Sequence, residues 1–473
     1  MSTVKQTTTS PKSAVTLGKQ RNYAEVVDFL NKNWTTGCDG KNVERARKLD
    51  KAFNSPSQKI ETVLVGGTNG KSLTVHFATK LLRTEGFTVG SFYAPHLLTY
   101  NERFSLDEET ITNKLFTELA NEVINTAESI GLKANTQELL TQIAFNYFTQ
   151  NNVDVAVLEV EHGGASHSTV ISSPKIVAIT RLTSTDVNAE GQASQEVIKE
   201  YLGAVAKDAH LLSSDQNKAN LKSMSEHAAQ VGAEWAMPIR KLVALTYPFE
   251  QLHGRCAALA ERIASVFVNS FAFNHPSLVK DSLLARVKGQ RGRPTLEAKR
   301  ESQINPKRTI EHFWKETTST LSGRFQLLEK EKPTVLLDNA NNIDAFSNFL
   351  LGIRLLHYNR SLKGLTLIIG CPQETLDYQE FLRAIRYFFK KTSGNIFICP
   401  VPERADQQTT SWDAEKVAQD MKALKIKARA VRSFKDAFDA AKKTVNDRHG
   451  LIAIAGSENF VAEYWNYKGI KKI

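Results

Sequence analysis

The feature that most constrains this chain is a glycine-rich turn, Gly66-Gly67-Thr68-Asn69-Gly70-Lys71-Ser72. It directly follows a short β-rich run at 60–65 (IETVLV) and directly precedes a helical pattern. Leu73, Phe77 and Leu81 recur every four residues, which is one face of a helix. A strand, a glycine turn and a helix in that order bring main-chain N–H groups and the positive end of a helix to one point, a ready cradle for phosphate oxygens. Gly70 leaves the backbone open where a Cβ would block approach. Lys71 is placed to reach the outer phosphates, and the Ser72 hydroxyl suits Mg²⁺. A tight turn with an incidental lysine is the plainer alternative, and the strand and helix on either side select the nucleotide reading. Gly67, Thr68, Asn69, Gly70, Lys71 and Ser72 are thus expected to bind the phosphates of a nucleotide.

The rest of the chain repeats the α/β rhythm. Strands are expected at 89–93, 153–160 and 176–180, with a helix over 137–150 that carries Leu140, Ile143 and Tyr147 on one stripe. Such alternation implies a parallel sheet covered on both faces. Glu159 ends the apolar strand VDVAVL, where ligands gather in open α/β sheets, so it is a candidate metal ligand opposite the phosphate loop. Between residues 286 and 308 the pattern breaks: eight basic residues and two acids lie among Gly289, Gly292, Pro294 and Pro306. The rhythm then restarts at 334–337, 365–369, 396–399 and 451–455. The expected organisation is a basic tail over 1–22, a phosphate-loop domain over 23–285, a basic linker over 286–318 and a second α/β domain over 319–473.

Composition narrows the partners. The 473 residues carry 61 Lys and Arg against 50 Asp and Glu, a net charge of +11 that suits anionic ligands. No run approaches the roughly 18 apolar residues of a membrane span, so no membrane role is expected. Cys38, Cys256, Cys371 and Cys399 lie far apart, which argues against a disulfide framework or zinc site. The tail lacks the apolar core of a secretory signal, and a cytoplasmic setting is expected.

Three ordered motifs carry a resemblance. Gly67-Thr68-Asn69-Gly70-Lys71, then Pro95-His96-Leu97 and Tyr100-Asn101-Glu102-Arg103, resemble the folylpolyglutamate synthase and dihydrofolate synthase branch of the Mur ligases. Glu159-Val160 with Gly163-Gly164, Gly323-Arg324-Phe325, Asp338-x-Ala340-x-Asn342 and Gly456-Ser457 follow in that family's order. The resemblance implies a Mur-ligase-type central domain, a C-terminal Rossmann-like domain, and ATP with Mg²⁺ between them. It implies an ATP-dependent amide ligase that joins L-glutamate to a folate or dihydropteroate carboxylate through an acyl phosphate. On this resemblance Arg324 and Asp338 contact the nucleotide, and Pro95, His96, Asn101 and Arg103 border the acceptor. Lys71, Glu159 and Asp186 are catalytic, and Ser72, Glu159 and Asp186 hold the metal. A monomer acting on small molecules is implied.

Some matched positions differ. The family's metal-binding serine is Ala94 here, its Asp-His pair falls on Thr185-Asp186, and its carbamylated lysine falls on Tyr201. Its later Arg and Asp fall on Ala165 and His167, its Asp-Gly-Ala-His-Asn histidine on Asn341, and Lys71 is followed at once by Ser72. The alternative reading is a degenerate homologue that binds nucleotide without joining anything. His76 and His253 have no partner pattern and read as structural. Arg291-Gly292-Arg293-Pro294 looks like a minor-groove segment, a weaker pointer to nucleic acid through 286–308.

Overall fold

The computed structural model of the chain describes residues 18–35, 40–161, 163–182, 195–285, 308–317, 321–370, 377–402 and 411–472. Asp186 and most of the basic stretch, 286–307, lie outside the described residues.

Two sheets organise the molecule. The first contains β1 (Glu61–Gly66), β2 (Val89–Phe92), β3 (Phe104–Leu106), β4 (Glu109–Thr110), β5 (Val155–Glu159), β6 (Ile176–Ile179), β7 (His210–Ser213) and β8 (Glu234–Ala236), ordered β4-β3-β2-β5-β1-β6-β7-β8. It is parallel from β2 to β8, and β3 and β4 form an antiparallel edge. Strand alternation explains why it needs cover on both sides. In β1, Val63 and Val65 enter one apolar core, while Leu64 between them enters the other. β1 lies between β5 and β6, so the chain leaves β1 towards β2 on one side and passes from β5 to β6 across it. The crevice beyond the strand ends at such a switch point is where α/β sheets bind ligands.

The helix Lys71–Thr84 springs from the glycine turn and packs along the helix Phe249–Val266, whose Ala257, Ala260 and Ala264 permit close approach. Residues 310–316, read from the sequence as part of a linker, form the helix Ile310–Glu316. Its Trp314 is buried in the same core, edge-on to Phe77, and donates its indole N–H to Glu261 at 2.7 Å. The end of the expected tail is likewise tied down. Arg21 donates its backbone N–H to Asn121 at 2.8 Å and pairs with Glu128 at 2.8 Å.

The second sheet contains β9 (Gln326–Leu328), β10 (Thr334–Asp338), β11 (Leu365–Ile369), β12 (Asn395–Ile398), β13 (Ala428–Ala430) and β14 (Leu451–Ala455), ordered β13-β12-β11-β14-β10-β9. All neighbours are parallel except β9. Apolar side chains join the two halves. Leu97 of the first packs with Val335 and Val461 of the second, and Phe249 meets Phe325 edge-on at 6.3 Å. The carboxyl ends of β1 and β5 thereby face those of β10 and β14 across one cleft. Among the described residues no helix is long and apolar enough to cross a membrane.

Candidate active site

Between the halves lies a cavity of about 740 Å³, lined by the whole glycine turn from Gly67 to Ser72 together with Glu159, Arg324 and Asp338. The turn's shape follows from its sequence. Gly67 and Gly70 have φ of 122° and 92°, in the left-handed region that disfavours side chains. A Cβ on Gly67 would collide with the Thr180 hydroxyl, and one on Gly70 would press on the Cys256 sulfur. The Thr68 N–H donates to the Arg181 carbonyl at 2.8 Å, tying the turn to the end of β6. Lys71 folds its ammonium back onto the carbonyls of Gly67 (2.7 Å) and Thr68 (3.3 Å). It is thus held over the mouth of the turn.

Ser72 and Glu159 stand side by side. Ser72 Oγ donates to Glu159 Oε1 at 3.0 Å, and the Ala94 N–H donates to Glu159 Oε2 at 3.3 Å. Ala94 therefore orients the carboxylate through its backbone, although its side chain offers no ligand. Burial pushes the Glu159 carboxyl above the usual carboxylate range, against the pull of Lys71 and Arg324. Arg324 reaches over from the second half and donates to Ser72 Oγ at 3.2 Å. A hydroxyl and a carboxylate, both hard oxygen donors, fit a divalent cation such as Mg²⁺. Among the described residues there is no cluster of three or more His, Cys, Asp or Glu that could complete a protein-only metal cage.

Asp338 ends β10 and is held by two main-chain donors, Phe325 N–H at 2.9 Å and Ala340 N–H at 2.8 Å. Burial raises its carboxyl to about 7, opposed by Arg324 and by those two hydrogen bonds. It lies at the cavity wall with Arg324 close by.

The wall expected from the sequence to border an acceptor is built around Arg103, almost wholly buried yet lining the cavity. Its Nε donates to His96 Nδ1 at 3.0 Å and its Nη1 to Glu161 at 3.2 Å, while the guanidinium lies 5.4 Å from the Trp34 ring centre. Among the described residues its Nη2 has no hydrogen-bond partner. A buried guanidinium with a spare donor beside an aromatic wall is suited to a planar, oxygen-bearing ligand. Pro95 also lines the cavity. Two residues placed here from the sequence stand back from it. His96 stacks on Tyr100 with ring centres 4.4 Å apart and steadies Arg103, so it acts through Arg103. Asn101 is fully buried, donating to the Ile111 carbonyl at 3.0 Å and accepting the Tyr23 hydroxyl at 2.8 Å. Its part is to fix the Tyr100–Arg103 turn.

The divergent positions also have places. Tyr201 lines the cavity with its ring packed against Gly66. His167 caps a short helix through Thr169, and Asn341 is on the second half's wall. Trp34, Arg181 and Asp344 are wall residues that the sequence did not single out. No motif marks them, because each reaches the cleft through a fold contact distant in the chain.

No family model matches the chain. It is 27% identical over 311 residues to a dihydrofolate synthase/folylpolyglutamate synthase of Bacillus subtilis, a match covering 63% of this chain and 68% of that protein. A folylpolyglutamate synthase of Lacticaseibacillus casei is 25% identical over 239 residues, covering 49% of this chain and 55% of that protein. Among solved structures, a Mycobacterium tuberculosis folylpolyglutamate synthase complexed with ADP superimposes with a TM-score of 0.73 at 20% identity, covering 94% of this chain and 98% of that one. A Yersinia pestis bifunctional folylpolyglutamate synthase/dihydrofolate synthase complexed with AMPPNP and Mn gives a TM-score of 0.70 at 18% identity, covering 95% and 98%. The structural likeness shows that the two halves share those proteins' fold.

Proposed function

As a divergent relative of the folylpolyglutamate synthase and dihydrofolate synthase family, this chain, we propose, is an ATP-dependent ligase that joins L-glutamate to a folate or dihydropteroate carboxylate. The observation that carries the reading is the meeting, across one cavity, of Lys71, Ser72 and Glu159 from one half with Arg324 and Asp338 from the other.

The geometry supports the following division of labour. The N–H groups of the glycine turn hold the phosphates, and Lys71, released from the Gly67 and Thr68 carbonyls, follows the outer phosphate charge. Arg324 leaves Ser72 to meet the same charge from the opposite side. Asp338 accepts from the ribose hydroxyls. Ser72 and Glu159 would hold Mg²⁺, which when bound neutralises phosphate charge during transfer. Asp186 is the third proposed ligand. Arg103, steadied by His96 and Glu161, holds the acceptor so that its carboxylate points at the terminal phosphate. Transfer makes an acyl phosphate, the glutamate amine attacks its carbonyl carbon, and phosphate departs. Closure of the cleft keeps water from that intermediate.

The reading includes a cytoplasmic monomer acting on small molecules. The assembled cleft favours turnover over a nucleotide-binding scaffold. The test is direct: with MgATP, purified protein should release ADP only when L-glutamate and either dihydropteroate or tetrahydrofolate are both present. ADP release that ignores the acceptor, or none with any pair, overturns the proposal. Binding of duplex DNA lost on deleting 286–308 would instead give that segment a nucleic-acid role.

A further inference from the structure

The phosphate turn is held from the far half of the molecule as well as from its own sheet. Asn69, at the crown of the turn, forms a reciprocal amide pair with Asn342. Asn69 Nδ2 donates to Asn342 Oδ1 at 3.0 Å, and Asn342 Nδ2 donates back to Asn69 Oδ1 at 2.9 Å. Asn69 Nδ2 also donates to Asp344 Oδ2 at 3.0 Å. The other oxygen of Asp344 takes Arg181 Nη1 at 2.8 Å, and the Arg181 carbonyl accepts the Thr68 N–H. Asn342 also caps the helix Ile343–Asn359, its Oδ1 accepting the Ala345 N–H at 3.0 Å. The turn is thus clasped between the end of β6 and the start of a helix roughly 275 residues further along the chain.

Resting on the reading of this turn as the nucleotide cradle, we infer that Asn342 and Asp344 are positioning residues that hold the turn in its binding shape when the two halves are closed. A glycine-rich turn loses much freedom when it wraps an anion, and a turn already ordered loses less. The clasp orders Asn69 by its side chain and leaves its main-chain N–H for phosphate. Arg181, paired with the other oxygen of Asp344, offsets that acid's repulsion of an incoming anion. Since both ends of the clasp lie on different halves, ordering the turn and closing the cleft become one equilibrium.

The experiment uses the full chain and two readouts, amide hydrogen exchange without nucleotide and calorimetric titration with MgADP. Asn342→Ser keeps a capping oxygen for Ala345 but is too short to reach Asn69. Asp344→Ala and Asn69→Ala remove the other contacts, and Asp344→Asn keeps an acceptor for Asn69. In Asn342→Ser and Asp344→Ala, amides of residues 67–72 should exchange about tenfold faster, with β10 and β14 unchanged, and MgADP should bind about tenfold more weakly. Asp344→Asn should lose less. The double variant Asn69→Ala/Asn342→Ser should be no worse than its worse parent, because both remove one interaction. Unchanged exchange at 67–72, additive losses in the double variant, or full MgADP affinity in variants of a wild type that binds it, each overturns the inference. A wild type that binds no MgADP sinks the ligase reading instead, and the exchange comparison still decides whether the clasp orders the turn.

Discussion

At the scale of single residues, two buried carboxylates, Glu159 and Asp338, line the cleft. Glu159 is oriented by Ser72 and by the Ala94 N–H, so Glu159→Gln keeps its shape and one accepting oxygen for the Ala94 N–H while removing its charge. This variant should hold Mn²⁺ in the nucleotide complex roughly 10–100-fold more weakly, measured by the electron paramagnetic resonance of the free ion. Asp338 titrates near 7 in the folded chain, chiefly through burial, against about 3.9 when unfolded. Between those values the folded state binds the extra proton, so this residue's contribution to stability is present at low pH and lost as pH rises towards neutrality. Without nucleotide, unfolding free energy should therefore fall between pH 5 and pH 8. Asp338→Asn should flatten that slope, although its amide N–H₂ meets a backbone N–H and lowers the overall value. Denaturant titrations across pH would show it, and an unchanged slope would remove Asp338 as the source. Glu159 was visible in the sequence as a strand-end acid, and Asp338 through the ordered motifs that carry the resemblance. That His96 and Asn101 support Arg103 and its turn was not, because a motif names neighbours in sequence without saying which side chain faces the ligand.

At the scale of elements, the strand–turn–helix unit was legible because its logic is local. The turn's glycines, the β-rich run before it and the four-residue apolar spacing after it lie within about 25 residues. Gly67→Ala should abolish nucleotide binding with the fold retained, since a side chain there meets both an unfavourable φ and Thr180. Circular dichroism with an MgADP titration separates the two effects. The helix Ile310–Glu316 was not legible. It offers one turn's worth of apolar residues beside a basic stretch, too short for periodicity to show. Its stability comes from the core it enters, so Trp314→Ala should cost about 3–5 kcal/mol by denaturant unfolding. A loss below about 1 kcal/mol would mean that this helix is a passenger.

At the scale of the whole molecule, the site exists only when the two halves are docked. Leu97 is the clearest link, leaving the first half two residues after Pro95 of the cavity wall and inserting among Val335 and Val461 of the second. Leu97→Asp buries a charge in that contact and should split a single calorimetric transition into two while weakening MgADP binding. One unbroken transition would show that docking does not depend on this contact. The amino-acid sequence by itself determined the α/β class, the phosphate turn and the order of the motifs, since all three are written in short-range patterns of strand, glycine and helix. Only the tertiary structure decided that Arg324 reaches Ser72, that Asp344 joins Asn69 to Arg181, and that Tyr201 packs on Gly66. Those contacts join residues far apart in the chain, and their geometry follows from how two packed cores fit together, which no local pattern encodes.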